Sequence, residues 1–436
     1  MSFFKKLFRF IYRSRVQKYS AFPGPPPSFP LGNIGDFLGK EPWETLSSYT
    51  VNYGEIFVFW LGGNPQICIQ SPEYFEKVLE SDWNNFFKDS PIKELTPVIT
   101  KYTPFLANNP EWKQMRKLNP FSSDWFNRWL EAQDQPLLEA TKLKILELGE
   151  KSNYGYLEGI SEIQKLSFDL FSISVIGKYA PTEVYEHFCS LGKTGSKRLT
   201  SLIKFSFVLN PIFYFKRKKW LQYFQTLIKD YWDSPNPNAK DLTTFTILNG
   251  ATLLDEAFVA NTADVFYGGV YSVTSVLLTT LWFLSKEENN KYLEKLQKEI
   301  RLIISKTKSP DFKSIDQIEI LEQVIREAMR IYPPVPFYSR NSSKQLVTFF
   351  NEHAVPPNTT IALSNYYLHR TPEFWKDPLE FKPERWTKKF REENPYGSSY
   401  FFPFGRGPRS CMGMPYALRY LKTVLFTIYS KGKIEF

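Results

Sequence analysis

Cysteine is scarce in this sequence of 436 residues. Only Cys68, Cys189 and Cys411 occur, and their odd number and wide separation exclude a disulfide framework. Because disulfides persist mainly in oxidising compartments, this usage indicates a reducing one. No second cysteine or histidine stands at ligand spacing from Cys411, so the sequence argues against a zinc site.

The sequence also lacks the patterns of nucleic-acid-binding proteins. Its formal net charge is +10, but the basic residues are dispersed, and no RNP, zinc-finger or basic-zipper pattern occurs. An anionic membrane surface or an acidic protein partner explains the charge at least as well. We therefore expect no nucleic-acid partner. A hydrophobic fraction of 42% with 23% charged residues is ordinary for a globular protein with a sizeable core.

The first 19 residues have the pattern of an amphipathic helix. One face carries Phe4, Leu7, Phe8 and Ile11, and the other carries Lys5, Lys6, Arg9 and Arg13. Charge interrupts the segment too often for a bilayer span or a signal peptide, so it predicts a helix at a membrane surface; the alternative is a solvated basic tail. We assign residues 1–22 to this membrane-contacting tail, residues 23–30 to a stiff proline-rich spacer, and residues 31–436 to one domain.

Long apolar runs are rare, and the exception is Val265 to Ser285. This segment has no charged residue and is long enough to cross a membrane. It also contains a glycine pair and six serine or threonine residues, and no comparable segment would complete a bundle. We therefore predict a long helix buried in a protein core.

The remaining patterns are mostly helical. Gly54 to Ile69 alternates apolar residues around Gly62 and Gly63, which predicts a β-hairpin. Shorter strand patterns return at Leu346–Phe350 and Thr359–Leu363, and helices are expected to break at Asn210-Pro211 and at Pro235–Pro237. The sequence thus predicts a mainly α fold with small β-sheets built from the two ends of the chain.

The most specific motif is the ten-residue segment Phe404-Gly405-Arg406-Gly407-Pro408-Arg409-Ser410-Cys411-Met412-Gly413. The alternating glycines permit a tight loop with positive φ, and a helix is predicted to follow. Near a helix N-terminus the dipole and backbone N–H groups favour a thiolate, which can ligate haem iron. The alternative is a buried, inert cysteine.

This segment resembles the haem-binding loop of the cytochrome P-450 family. The resemblance implies the family fold, thiolate-ligated haem b and an O2-dependent monooxygenase reaction. It also implies that Cys411 ligates the iron, that Phe404 packs near the sulfur, that Arg409 pairs with a haem propionate, and that Gly413 lets helix and porphyrin approach closely.

Further elements resemble the family in the same order along the chain. Glu327 and Arg330 form an E-x-x-R, and Arg385 lies in Pro383-Glu384-Arg385-Trp386. By resemblance these three charges form a bracing network; helical periodicity alone, which puts Glu327 opposite the apolar stripe, predicts a surface ion pair. His369 and Arg370 resemble a structural element, and we do not expect His369 to be a ligand.

Two upstream segments resemble the family's contacts to the haem propionates. Trp112 and Arg116 form a W-x-x-x-R, which alone indicates only packing and cation–π contact. Arg340, beyond the Pro333-Pro334 break, resembles a further propionate partner. Paired cations suit two carboxylates.

The sequence departs from the family in the long apolar segment. The family places a small residue, Gly, any residue, an acid and Thr over the iron, whereas this chain has Gly268, Gly269, Val270, Tyr271 and Ser272. The glycines are expected to loosen the helix for bound oxygen, and Ser272 can replace the Thr hydroxyl. Tyr271 replaces the acid and is a poor proton relay at neutral pH, or is simply a core aromatic residue.

A second departure is at the end of the sequence. The family continues into strands that form part of the substrate pocket, whereas this chain stops at Phe436, so we expect the fold without those C-terminal strands. Tyr420 stands where the family usually has Glu.

The resemblance implies insertion of one oxygen atom into a lipophilic molecule such as a fatty acid, sterol or terpenoid. A flavin or iron–sulfur protein would donate electrons, docking on the cysteine side near Arg406, Lys113 and Lys117. The alternatives are a haem-thiolate peroxygenase, isomerase or dehydratase, and a non-catalytic haem-binding protein. The expected location is peripheral, on the cytosolic face of a membrane (the endoplasmic reticulum in a eukaryote), or alternatively cytoplasmic.

Overall fold

The structure is a computed structural model. It describes residues 3–88, 105–118, 124–151, 159–200, 206–248, 256–307, 309–344, 347–349, 353–394 and 400–431.

The chain begins with helices that pack against a β-hairpin. Helices α1 (Phe3–Ile11), α2 (Arg13–Lys18) and α3 (Pro42–Tyr53) precede strands β1 (Ile56–Leu61) and β2 (Asn64–Ile69). The strands pair antiparallel with Leu61 opposite Asn64, which leaves Gly62 and Gly63 as the turn. Gly62 has φ +59°, a conformation that glycine adopts without strain. The predicted hairpin is confirmed.

A predominantly helical part follows. After α4 (Pro72–Glu76) and β3 (Phe86–Phe87), its helices are α5 (Glu111–Leu118), α6 (Asp124–Lys151), α7 (Gly159–Ile176), α8 (Thr182–Thr200), α9 (Ser206–Asp233), α10 (Leu242–Leu248), α11 (Glu256–Ser285), α12 (Asn290–Lys306), α13 (Phe312–Asp316) and α14 (Glu319–Ile331).

The C-terminal third returns to the hairpin. It contains β4 (Tyr338–Ser342), β5 (Val347–Phe349), β6 (His353–Val355), β7 (Thr360–Leu363), α15 (Asn365–Leu368), α16 (Lys388–Glu393) and α17 (Met414–Lys431). The main sheet has the order β1-β2-β7-β4-β3, and β7 pairs parallel with β2. The mainly helical fold with a small sheet from the two ends of the chain is confirmed. The expected lack of C-terminal strands concerns the end of the sequence, where residues 432–436 lie outside the described residues.

Helix α11 occupies the centre of the helical part, in contact with α7, α9, α14 and α17. Val270, Leu277 and Leu281 on this helix are fully buried. Ala257–Ser285 is the one described segment long and apolar enough to span a bilayer, and half of its most apolar window is buried in the protein. A helix that is apolar on most of its circumference needs protein neighbours, and these contacts confirm the predicted core helix.

Two local features differ from the sequence-based expectation. Helix α9 starts at Ser206 and continues through Pro211, so the break expected there is wrong. Pro211 is the sixth residue of the helix and removes only the one intrahelical hydrogen bond that its missing N–H would donate, so the helix continues past it. The N-terminal segment also packs on the domain: Phe8 is fully buried with its ring 5.3 Å from that of Trp60, and the Pro23 carbonyl accepts from the Val58 N–H at 2.8 Å.

Candidate functional site

The loop before α17 presents the Cys411 side chain to open space. Gly405 and Gly407 both have φ +72°, and a Cβ on Gly407 would lie 2.1 Å from the Leu79 carbonyl oxygen. The Cys411 N–H donates to the Phe404 carbonyl at 2.7 Å and closes the loop. The residue Cys411 is accessible to solvent. Only glycine permits this close approach at position 407.

The electrostatics of the thiol are a balance of opposing effects. Although the residue is accessible to solvent, the protein around it desolvates the thiol and raises the pKa of Cys411. N–H groups of Gly413 and Met414 and the charge of Arg116 lower that pKa, but desolvation prevails. The helix start therefore assists a thiolate, as expected, but does not suffice alone. A coordinated metal ion would supply the missing stabilisation, because it deprotonates a bound thiol outright. A Cβ on Gly413 would lie 3.8 Å from the Cys411 Sγ, at ordinary van der Waals distance.

Several cations, one buried and the others partly buried, converge beside this loop. The Arg409 guanidinium lies 4.7 Å from the Trp112 ring centroid and donates to the Ala107 carbonyl at 2.8 Å, while Arg116 lies 5.9 Å from the same ring. Arg340 is 5% exposed. Burial lowers the pKa of Arg340 to about 10, and burial with the charges of Arg340 and Arg116 lowers the pKa of Arg409 to about 10. The structure thus brings together all four residues that were expected near the propionates.

A fifth residue of this cluster, Lys88, was missed from the sequence. Burial and the positive charges of Arg340 and Arg409 hold the pKa of Lys88 well below its usual value. The Arg409 Nε is buried and has no hydrogen-bond partner among the described residues. A group of partly buried cations with a buried, unsatisfied N–H donor is suited to an anionic acceptor, and the two carboxylates of a haem fit that description. A two-residue strand gives too little pattern for sequence analysis to place Lys88 here.

The expected charged network is formed and is buried. Glu327 and Arg330 are 0% exposed and Arg385 is 4% exposed, so the surface ion pair predicted by periodicity is wrong. Glu327 accepts from Arg330 at 2.8 and 2.9 Å, from Arg385 Nε at 3.2 Å, from the Lys382 N–H at 3.0 Å and from Trp386 Nε1 at 3.0 Å. Every lone-pair direction of the carboxylate is therefore used.

His369 connects this network to the cysteine loop. Its carbonyl accepts from Arg330 at 2.8 Å, and its Nε2 accepts from the Phe402 N–H at 2.9 Å. Burial and the charges of Arg330 and Arg370 lower the pKa of His369 to about 3, so the ring is neutral. By accepting this hydrogen bond, Nε2 of His369 positions the backbone at Phe402, two residues before Phe404. The sequence did not predict this contact.

On α11 the two glycines have different neighbours. No other part of the described chain lies within 4 Å of where a Cβ on Gly268 would be, so this residue faces open space. A Cβ on Gly269 would lie 2.3 Å from Phe171, whose ring is 5.5 Å from that of the fully buried Tyr420. Gly269 therefore serves close packing between helices. Ser272 lies on the face of Gly268, one turn further on, and its Oγ donates to the Gly269 carbonyl at 3.1 Å.

Tyr271 packs against α8. Its ring stacks on Phe188 at 4.6 Å and lies 4.9 Å from Tyr267, and its hydroxyl donates to the Phe188 carbonyl at 3.4 Å. Burial and the neighbouring Tyr267 and Cys189 raise the pKa of Tyr271. The phenol keeps its proton at neutral pH and is occupied in packing.

Comparisons with known proteins agree with these features. A family model described as Cytochrome P-450 matches residues 22–123 and 179–434, which contain all the predicted site residues. The chain is 27% identical over 443 residues to cytochrome P-450 3A28 of Bos taurus, covering 96% of the chain and 85% of that protein. It is 25% identical over 459 residues to cytochrome P-450 3A5 of Homo sapiens (96% and 87% covered) and 26% identical over 460 residues to cytochrome P-450 3A18 of Rattus norvegicus (97% and 88% covered).

Proposed function

Because the chain belongs to the cytochrome P-450 family and is thus a monooxygenase with thiolate-ligated haem iron, we propose that Cys411 is the sulfur ligand and that the substrate is a lipophilic small molecule. The bound haem supplies the O2 chemistry, in which one oxygen atom enters the substrate and two electrons and two protons reduce the other to water. A non-catalytic haem-binding role loses its support with this family membership.

The observation that carries this proposal is the placement of the Cys411 thiol. It is accessible to solvent at the start of α17, next to N–H groups that stabilise its anion, and the charge of Arg116 from the cation cluster acts on it. Cys68, by contrast, is fully buried in the small sheet and inaccessible to a cofactor. Cys411 is therefore the cysteine suited to the iron.

The test is the absorption spectrum of the ferrous carbon monoxide adduct. Wild type should give the strongly red-shifted Soret band of thiolate ligation. Cys411→Ala should lose that band, while Cys68→Ala, as the matched control, should keep it. A red-shifted band that survives in Cys411→Ala would overturn the assignment.

We assign the cofactor's carboxylates to the cation cluster. Trp112, Arg116, Arg340 and Arg409, with Lys88, would hold the propionates, and the orphaned Arg409 Nε would gain an acceptor. Guanidinium groups suit this role because they present paired donors to a carboxylate. The resulting contacts would fix the orientation of the haem over Cys411.

On the opposite side we assign oxygen binding to the open space at Gly268 and proton supply to Ser272. The Ser272 Oγ–H donates to a carbonyl within its own helix, so rotation of its side chain can turn the same proton toward Gly268. Tyr271 holds its proton too tightly to act as the missing acid. Protons would therefore reach Ser272 from solvent.

The lack of an acid at Tyr271 favours one second candidate, a peroxygenase, isomerase or dehydratase that acts on a peroxide. Such an enzyme needs no proton delivery to O2. Turnover with hydrogen peroxide or a lipid hydroperoxide in the absence of any reductase would support this candidate. Strict dependence on NAD(P)H and a redox partner would exclude it.

For the substrate we propose a fatty acid, sterol or terpenoid-like molecule, on the strength of the aromatic and aliphatic interior around α11. For the electron donor we propose a flavin or iron–sulfur protein that docks on the cysteine side. Lys113 is exposed there, whereas Arg406 is engaged by Glu80 at 2.6 Å and the Lys117 side chain is outside the described residues. Lys113 is therefore the better-placed contact.

We also propose peripheral attachment to a membrane through α1. Phe8 is occupied in protein packing, but Phe3, Phe4, Phe10 and Ile11 are exposed. Aromatic residues beside Lys5, Lys6 and Arg9 suit the boundary between acyl chains and anionic headgroups. The location would be the cytosolic face of a membrane, the endoplasmic reticulum in a eukaryotic cell, with a cytoplasmic location as the alternative.

A further inference from the structure

Lys88 stands near another cation. Strands β3 and β4 pair with Phe86 opposite Ser342 and Phe87 opposite Asn341, and β3 ends at Phe87. Lys88 follows directly, and continuing this register by one residue would bring it opposite Arg340, whose charge acts on it. Directly opposed residues in an antiparallel pair share a face, and like charges there repel. The charge of Arg409 also acts on Lys88.

The other described neighbours of Lys88 bring no negative charge. Its Nζ lies 4.4 Å from the Phe105 ring centroid, a cation–π contact that favours the ammonium, and its backbone N–H donates to the Asn108 side chain at 2.8 Å. Next to Arg340 stands the Tyr338 phenol, and burial raises the pKa of Tyr338, so it is neutral. Arg116 adds a further positive charge beside Arg409. Among the described residues, the charges acting on Lys88 are all of one sign.

Three cations in a partly buried group cannot all remain charged without cost. The two guanidinium groups stay protonated in proteins, whereas an ammonium releases its proton readily when desolvated. Lys88 is therefore the member of the group that can become neutral, and the direction of its pKa agrees with this.

We propose that Lys88 is a neutral amine in the haem-free chain and takes up a proton from solvent when the haem carboxylates enter the cluster. The balance is simple: the amine gains one proton and becomes an ammonium, and no other bond changes. The inference rests on the proposed function, because it requires the propionates to lie at Arg340 and Arg409.

Linkage fixes the sign of the pH dependence. A site that takes up a proton on binding loses affinity as pH rises, by about tenfold per pH unit for one proton, between the lowered pKa of Lys88 in the empty site and its value with haem. Cys411 acts in the opposite direction, because its thiol would release a proton to solvent when the sulfur binds the iron. The contribution of Lys88 therefore has to be read as a difference between variants that share Cys411.

The experiment is isothermal titration calorimetry of the full-length haem-free chain with hemin, in buffers of different ionisation enthalpy. Wild type should take up about one proton more per haem than Lys88→Met. Lys88→Arg, which keeps the charge but cannot release it, should match Lys88→Met in proton count. Lys40→Met, an exposed lysine, is the matched control and should match wild type.

Thermal unfolding of the haem-free variants gives a second readout. Lys88→Arg should unfold at a lower temperature than wild type, because its charge is permanent, whereas the unfolding temperature of Lys88→Met should not fall. Equal proton counts in wild type and Lys88→Met would overturn the inference while leaving the proposed function intact. Failure of wild type to bind hemin would overturn both. The Soret band tests the proposed function independently of the proton count, because only Cys411→Ala should lose the red-shifted band.

Discussion

At the scale of single residues, Glu327 has the most demanding environment. Its carboxylate lies fully buried and accepts hydrogen bonds from two guanidinium groups, one backbone N–H and one indole N–H. Arg330 in turn donates to carbonyls of Pro378 at 2.7 Å and Glu380 at 3.3 Å. The network thus joins α14 to the segment that leads into the cysteine loop.

We predict that Glu327→Gln destabilises the protein by about 3–5 kcal/mol, because two buried guanidinium groups lose their counterion. Urea unfolding of the holoprotein measures this, and haem release should accelerate in parallel. Arg326→Gln on the same helix is the control. Its pair with Glu322 is partly exposed, at 30% and 37%, and should cost under about 1 kcal/mol. Similar costs for the two variants would contradict a special role for Glu327.

The burial of Glu327 could not be predicted from helical periodicity. The apolar stripe of α14 correctly predicts the buried face with Leu321, Ile325 and Met329. The opposite face should then be exposed, but Lys382, Arg385 and Trp386 cover it. A helix pattern describes one element and does not reveal which distant segment returns over it. Only the resemblance to the family predicted the burial.

At the scale of helices, the contact between α8 and α11 depends on a glycine. A Cβ on Gly192 would lie 1.6 Å from the Tyr271 hydroxyl and 2.5 Å from its Cζ. The sequence predicts that Tyr271 lies on the long apolar helix, but not that Gly192 is its neighbour, since packing sets the rotation of one helix against another. The same reason explains why the contact of Gly269 with Phe171 could not be predicted from the sequence.

We predict that Gly192→Ala destabilises the fold by about 1–3 kcal/mol, because the added methyl group displaces Tyr271. In Gly192→Ala/Tyr271→Val the space is free again, and most of the loss should be recovered; denaturant midpoints of the four proteins give the coupling. Gly149→Ala is the control, since nothing lies within 4 Å of a Cβ there and alanine favours a helix by up to about 1 kcal/mol. Additive effects of the two substitutions would rule out the contact.

At the scale of the whole molecule, residues distant in sequence form both the sheet and the site. The parallel pairing of β2 with β7 joins residues near positions 66 and 360, and the cation cluster joins Lys88, Trp112, Arg340 and Arg409. The motif around Cys411 could be recognised from the sequence because its residues are adjacent in the chain. The place of Lys88 in the cation cluster could not be predicted, because it depends on how β3 pairs with β4.

Exposed aromatic residues on α1 and the net positive charge of the whole molecule together favour binding to an anionic membrane. Phe3 is 71% and Phe10 80% exposed on α1, next to basic residues, while the net charge of +10 attracts anionic lipid. Burying each ring in a bilayer is worth about 1.5–3 kcal/mol, so Phe3→Ser/Phe10→Ser should weaken binding to vesicles containing phosphatidylserine by tenfold or more. Sedimentation with such vesicles measures this for the full chain. Val51→Ser, which removes a residue 87% exposed on α3, should bind like wild type. Equal binding of all three proteins would instead support the solvated-tail alternative for the N-terminal segment.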